Sequence, residues 1–502
     1  MKTKGFFLAG LTALVLAGCA KEQTGGVDNN ATKSYLTVEL AVADPLSKTK
    51  TASDNRLDGT VAESSVSQAV VYLVQSGSVK AILSVNTLNQ VAHSGYDDGY
   101  ETAVMEASVG EGTYDVYVLT GSSSDPCGFS VDGAWDPAKV LEFAAASLNG
   151  VDNASNTAAV DNAFRMFNQH DASDHGKAVP TVTLTSANNT TANPAKSETV
   201  YLDRLTAKVV ASASASFKVG DSIKSGDFAS ATATVDGTMP VTAATSMYMQ
   251  QQWLDADMLQ LTTPAPQTYY GFVNNLFTGA VSPYSQIETD SDGYVSVAVN
   301  DLSGKIIAAE SPMYVLENAP VAPDTLWSNT TGLIFKVTLD AKGDGSNQTF
   351  FGYNKNSEHF LTLASLQAEY PNAFDVFDNK NADDTDDDAA NLADAESLLA
   401  SDVATFRAKT KINVFENGQM YYTHFIKDEN YKVYGVYRNT WYQLSVEEIA
   451  NFGDDIPGGW NPDDPTENPN PDTPVEEDKL YIKVKILVNK WVASPSTIIL
   501  GQ

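Results

Sequence analysis

Residues Leu480 to Val488 read Leu-Tyr-Ile-Lys-Val-Lys-Ile-Leu-Val, an alternating strand that stands at the far end of the chain. Side chains of a strand point alternately to its two faces. Leu480, Ile482, Val484, Ile486 and Val488 therefore form one apolar ridge, and Tyr481, Lys483, Lys485 and Asn489 are expected to face water. The segment before it, 458–479, is rich in proline, aspartate and asparagine. Such a composition buries no core and behaves as an extended, semi-rigid spacer. A buried-type strand on a tether predicts strand addition to a partner, with 480–502 as a donor-strand segment.

The other end carries a processing signal. Lys2 and Lys4 precede the apolar run Phe6 to Leu16, and Ala17-Gly18-Cys19 follows. This order of charged, apolar and small residues is that of a secretory signal, and the run is too short for a permanent membrane span. Small residues directly before a cysteine resemble the bacterial lipobox, with cleavage between Gly18 and Cys19 and acylation, palmitate included, of Cys19. Several acyl chains anchor durably where one is marginal. Residues 1–18 are read as the signal peptide, and the precursor as an outer-membrane lipoprotein.

The chain has 502 residues and a formal charge of −32. That balance argues against nucleic acid or an anionic membrane surface as a partner, because neutralising phosphates needs clustered Lys and Arg. Of two cysteines, Cys19 is the lipid site, so Cys127 has no disulfide partner within the chain and is expected to be a packed thiol.

Alternating or β-rich runs recur at 33–42, 67–74, 112–119, 181–184, 200–210, 294–299, 333–339 and 411–415, between Gly, Asn, Asp and Ser turns. Helical spacing is confined to 137–146 and 396–409. The expected fold is mainly β, with two β-sandwich domains in tandem and a few short helices. The small-residue tract Ala211 to Ser216 suggests a border, giving domains at 57–216 and 217–457.

Catalytic patterns are missing. The chain has no Gly-x-Ser-x-Gly, His-Glu-x-x-His or phosphate-binding glycine loop. His170 and His175 are spaced five apart, which does not put both rings on one helix face, and the cluster reads as a polar loop. Asp384-x-Asp386-x-Asp388 lacks the glycine and terminal glutamate of a calcium loop. No enzyme activity, cofactor or metal is expected.

Tyr201-Leu-Asp-Arg-Leu-Thr-Ala-Lys-Val209, Tyr314-Val-Leu-Glu-Asn318, Val436-Tyr-Arg-Asn-Thr-Trp-Tyr-Gln-Leu444 and Trp460-Asn461-Pro462 with the spacer and Val484 to Trp491 occur in that order. Together with the lipobox they resemble the type V pilins, the fimbrillins of Gram-negative anaerobes, and among them the minor-fimbrium shaft subunits. That resemblance implies a lipoprotein precursor whose first strand covers a groove until an arginine-specific protease removes it at the cell surface. The C-terminal strand of an identical or related subunit then fills the groove, head to tail, in a cell-surface fimbria that supports adhesion.

On that pattern Leu36, Val38, Leu40 and Val42 form the displaced strand. Arg56, the only arginine before Arg165, precedes Leu57 in a polar stretch suited to proteolysis, so 19–56 would be the propeptide. Lys48 and Lys50 are alternatives. The rival readings are a surface-anchored glycan-binding lipoprotein and a fimbrial tip or anchor adhesin. The surface receptor is not legible in the sequence.

Overall fold

The computed structural model describes residues 33–42, 56–93, 96–142, 164–169, 179–244, 246–251, 253–254, 259–260, 269–270, 284–289, 295–299, 306–318, 325–326, 329–428, 433–458, 475 and 481–492. The chain is mainly β, as expected. Its first part runs β1 (Lys33–Thr37), β2 (Glu39–Val42), β3 (Arg56–Asp58), helix α1 (Val61–Ser64), β4 (Ala69–Gln75), β5 (Ser78–Val85), β6 (Leu88–His93), β7 (Tyr96–Thr102), β8 (Met105–Ser108), β9 (Gly112–Thr120), β10 (Val140–Glu142), β11 (Met166–Asn168), β12 (Thr181–Leu184), β13 (Ala195–Lys196) and β14 (Val200–Arg204). All of these strands but β3 and β10 form a nine-stranded sheet in the order β5-β4-β9-β11-β14-β2-β7-β6, with β12 added on β9, and a three-stranded sheet β13-β1-β8. Leu36 and Ala107 of the small sheet close over Val71, Val118 and Leu202 of the large one, the packing of a sandwich.

Strand β4 is buried along almost its whole length, because both its faces are covered. Its inner residues Val71 and Leu73 join that core. On the outer face Tyr72 meets Phe129 and Trp135 of the loop after β9, and Trp135 stacks on Tyr117 with ring centroids 4.2 Å apart.

The second part is built on β15 (Thr206–Val219). This strand lies in a five-stranded sheet with Pro312–Leu316, Thr440–Ile449, Ile482–Val492 and β3. A four-stranded sheet of Ile307–Ala308, Thr232–Val241, Gly332–Asp340 and Gln419–Phe425 faces it. Val209, Tyr442 and Leu444 interdigitate with Phe335, Val337 and Tyr422 in one cluster. The 216/217 border expected from the small residues therefore falls inside one continuous strand: Ala211 to Ala213 pair in register with Leu444 to Val446, and the ladder shifts only before Lys218.

Two helix expectations resolve differently. In place of a helix from Pro137, Val140–Glu142 is a strand paired with Ser246–Tyr248, and Leu141 is buried, so tertiary pairing overrides a weak helical spacing. The 396–409 run is the end of one helix, Asp388–Ser401, followed by a second, Val403–Thr410. The break is Asp402, whose extended backbone ends the first helix while its carboxylate accepts from the Thr405 amide at 3.0 Å and caps the second. Asp387, from the acidic run, caps the earlier helix in the same way through the Ala390 amide. No described helix is long and apolar enough to cross a membrane.

Candidate functional site

The alternating segment 33–42 crosses from one sheet of the sandwich to the other. Its two halves meet at Val38, whose amide donates to the Thr102 hydroxyl and whose carbonyl accepts from the Thr102 amide, both at 3.0 Å. Thr102 thus replaces the ladder on one side where the chain changes sheets, and Ser197 does so on the other, its amide donating to the Thr37 carbonyl at 3.1 Å and its hydroxyl accepting from the Glu39 amide at 3.3 Å. Strand β1 lies between β13, parallel, and β8, antiparallel; β2 lies between β14, parallel, and β7, antiparallel. Leu36, Val38, Leu40 and Val42 all have 0% exposure.

On its outer side the segment meets two carboxylates. Glu106 accepts the Tyr35 hydroxyl at 3.0 Å and pairs with Lys33 at 2.7 Å. Glu101 accepts the Thr37 hydroxyl at 3.2 Å and lies directly opposite Glu39 in the ladder. Lys196 relieves that like-charge pair, 2.8 Å from Glu39 and 3.8 Å from Glu101. Pattern reading of 33–42 did not find Glu101 and Glu106, since they lie on other strands.

The C-terminal strand, Ile482–Val492, runs antiparallel to Thr440–Ile449. On its other side β3 pairs with it in parallel, only from Lys490 to Val492. From Ile482 to Asn489 its outer edge has no strand neighbour among the described residues. Ile482 is buried, whereas Val484, Ile486 and Val488 are half-buried against the core. Tyr481, Lys483, Lys485 and Leu487 are exposed. Asn489 corrects the expectation that it faces water. It is 4% exposed, and its amide group donates to the Trp441 carbonyl and to Gln443 Oε1 at 3.3 and 3.1 Å.

Between the two parts sits a buried ionic knot that pattern reading missed. Its local sign is the capping box Thr60-x-x-Glu63, in which Thr60 and Glu63 bond reciprocally at the start of α1. Glu63 also lies 2.7 Å from the Lys208 ammonium and accepts the Tyr314 hydroxyl. Burial pushes its carboxyl up, but Lys208 and Tyr314 outweigh burial and hold it below the usual carboxylate range. Arg204 donates to the Glu63 carbonyl, the Ser64 hydroxyl and Asn439 at 2.8–2.9 Å. Asn439 donates in turn to Asp203, whose carboxyl burial raises to about 7. Nearby Arg438 pairs with fully buried Glu317 at 2.6 Å.

Arg56 and Leu57 lie in β3, at the edge of the five-stranded sheet. Gly18, Cys19, Leu480, the histidines 170 and 175 and most of the spacer lie outside the described residues. Cys127 is buried with its Sγ 3.5 Å from Met249 Sδ, and burial pushes its thiol up to about 12. No group of three His, Cys, Asp or Glu that could hold a metal occurs among the described residues.

Residues 413–496 match the family described as major fimbrial subunit protein type IV, fimbrillin, C-terminal. No curated protein matches the sequence. Among solved structures, a fimbrilin from Porphyromonas gingivalis W83 is 13% identical over 92% of this chain and 99% of its own, with a TM-score of 0.42. The tip fimbrial protein from Porphyromonas gingivalis, C-terminally truncated, is 10% identical over 91% of this chain and 100% of its own, with a TM-score of 0.34. The matched segment takes in both the Thr440–Ile449 strand and the strand docked on it, so it is this C-terminal part of the chain that is similar to the fimbrillins.

Proposed function

We propose that the protein is a structural subunit of a cell-surface fimbria, not an enzyme, and that it polymerises by protease-triggered strand exchange and supports adhesion. The precursor reaches the outer membrane acylated at Cys19. Cleavage between Arg56 and Leu57 frees 19–56, and the ridge Leu480, Ile482, Val484, Ile486 and Val488 of a second subunit takes the seat of Leu36, Val38, Leu40 and Val42.

The observation that carries this reading is the difference between two seats. The resident ridge is fully enclosed, with a ladder neighbour on each side, while Val484, Ile486 and Val488 are half-buried on a largely one-sided seat of their own domain. Full burial of an aliphatic side chain is worth about 1.5–3 kcal/mol, so a move into the enclosed seat favours the C-terminal strand. While 33–42 is covalently joined, its effective concentration is around millimolar or higher and it holds its place. Cleavage removes that advantage.

Electron microscopy of purified precursor before and after an arginine-specific protease tests the proposal. Fibres should appear only after cleavage. Cleaved protein that releases 19–56 yet stays monomeric at all concentrations would overturn it.

A further inference from the structure

Set side by side, Lys33-Ser-Tyr-Leu-Thr-Val-Glu-Leu-Ala-Val42 and Lys479-Leu-Tyr-Ile-Lys-Val-Lys-Ile-Leu-Val488 agree at Lys33/Lys479, Tyr35/Tyr481, Val38/Val484 and Val42/Val488, with Leu36/Ile482 and Leu40/Ile486 alike in kind. Resting on the strand-exchange reading above, we infer that the C-terminal strand of a second copy enters in this one register, selected by Glu101 and Glu106.

The seat itself excludes the neighbouring registers. Keeping the apolar ridge inward permits only shifts of two residues. Moving the donor two residues one way places Lys485 where Ala41 stands, and two residues the other way places Lys490 where Val42 stands; both positions have 0% exposure. An unpaired lysine there is prohibitive. In the inferred register the residue at the place of Ala41 is Leu487, which is 39% exposed in its own domain. Its ladder neighbour on β7 would be Gly99, which has no side chain to oppose it.

The charges then change sense. Tyr481 repeats Tyr35 and brings its hydroxyl to Glu106. Lys483 takes the place of Thr37, whose hydroxyl reaches Glu101 at 3.2 Å. Lys485 replaces Glu39 directly opposite Glu101, turning a like-charge cross-strand pair into an opposite one. Cross-strand pairs of this kind contribute roughly 0.2–1 kcal/mol each. Lys196, 2.8 Å from Glu39, would meet Lys485 there instead, but its side chain is 58% exposed, so it can turn from Lys485 into water or toward Glu101, 3.8 Å away. The precursor strand is thus a poorer electrostatic match for its seat than the strand that replaces it.

Cysteine pairs read the register directly. Residues directly opposite in an antiparallel ladder have Cα atoms about 4.5–5.5 Å apart, within disulfide range, whereas diagonal neighbours at about 7–8 Å are not. Fibres assembled from cleaved Glu101→Cys/Lys485→Cys protein should give a ladder of disulfide-linked multimers under oxidising, denaturing conditions. Glu101→Cys/Lys483→Cys and Glu101→Cys/Leu487→Cys fibres should not. Separately, Lys485→Glu should slow elongation about threefold or more, and Glu101→Lys in the acceptor should restore it. A ladder from either alternative pair, or fibres without a ladder from any pair, would overturn the register while leaving strand exchange standing. Failure of cleaved wild-type protein to form fibres would overturn the exchange reading, and this inference with it.

Discussion

The Lys208 ammonium lies 2.7 Å from Glu63 Oε1 and 3.7 Å from the centre of the Trp441 ring. Glu63 belongs to α1, just after β3, and Lys208 to β15, so this pair ties the segment following Arg56 to the second sandwich. Removing one partner of a buried pair strands the other charge, which costs about 3–5 kcal/mol. Glu63→Ala should therefore lower the melting midpoint by about 10 °C, with Glu63→Gln milder because it can still accept from Tyr314. A midpoint within about 2 °C of wild type in Glu63→Ala would show that the knot contributes nothing to stability.

Acid should destabilise the fold through two histidines. Burial lowers His359 to about 3 and His424 to about 4, from the ordinary 6.5. Between those values the unfolded chain holds more protons, so their contribution is present above pH 6.5 and is lost as pH falls toward 3. The slope reaches about 1.4 kcal/mol per pH unit for each histidine. Asp203, raised to about 7, acts in the opposite sense: its contribution is present below the ordinary carboxylate range and is lost as pH rises through 7. Urea midpoints from pH 4 to 7 should show a shallower acid decline in His424→Phe; an unchanged slope would remove His424 from the account.

Val484→Asp/Ile486→Asp should leave cleaved protein monomeric. Both side chains are half-buried against their own domain, so the melting midpoint should fall modestly as well. Long fibres from the double variant would mean that subunits join through another surface.

Subunits taken from fibres should begin at Leu57 by N-terminal sequencing. A start at Thr49 or Thr51 would move the cut to Lys48 or Lys50, and a start at Cys19 or Ala20 would show that the first strand is retained.

Cys19→Ala should block acylation, leaving unprocessed or mislocalised precursor and few surface fibres. Normal lipid-free secretion with normal fibres would dispose of the lipoprotein route.

Local sequence made the strands legible because burial on one face imposes a period of two, as in Leu36 to Val42 and Thr181 to Leu184. It misread Val140–Glu142, where a short apolar run fits either period and pairing with Ser246–Tyr248 decides. It read Ala211 to Ser216 as a border because small residues say nothing of what lies across the ladder. The Thr60–Glu63 capping box was visible in the sequence, but its role in a buried knot was not. Lys208 and Tyr314 are far from Glu63 along the chain, and only folding desolvates all three together.

The sequence alone determined that this protein is mainly β and that an apolar alternation at 480–488 follows a proline-rich polar segment, because alternation and proline content are local properties. The tertiary structure decided where those strands lie: 33–42 enclosed between two neighbours on each sheet, 482–492 on a seat that buries it only in part, and Asn489 turned inward against its own alternation. Burial and charge pairing depend on which distant strands become neighbours, and no local pattern carries that information.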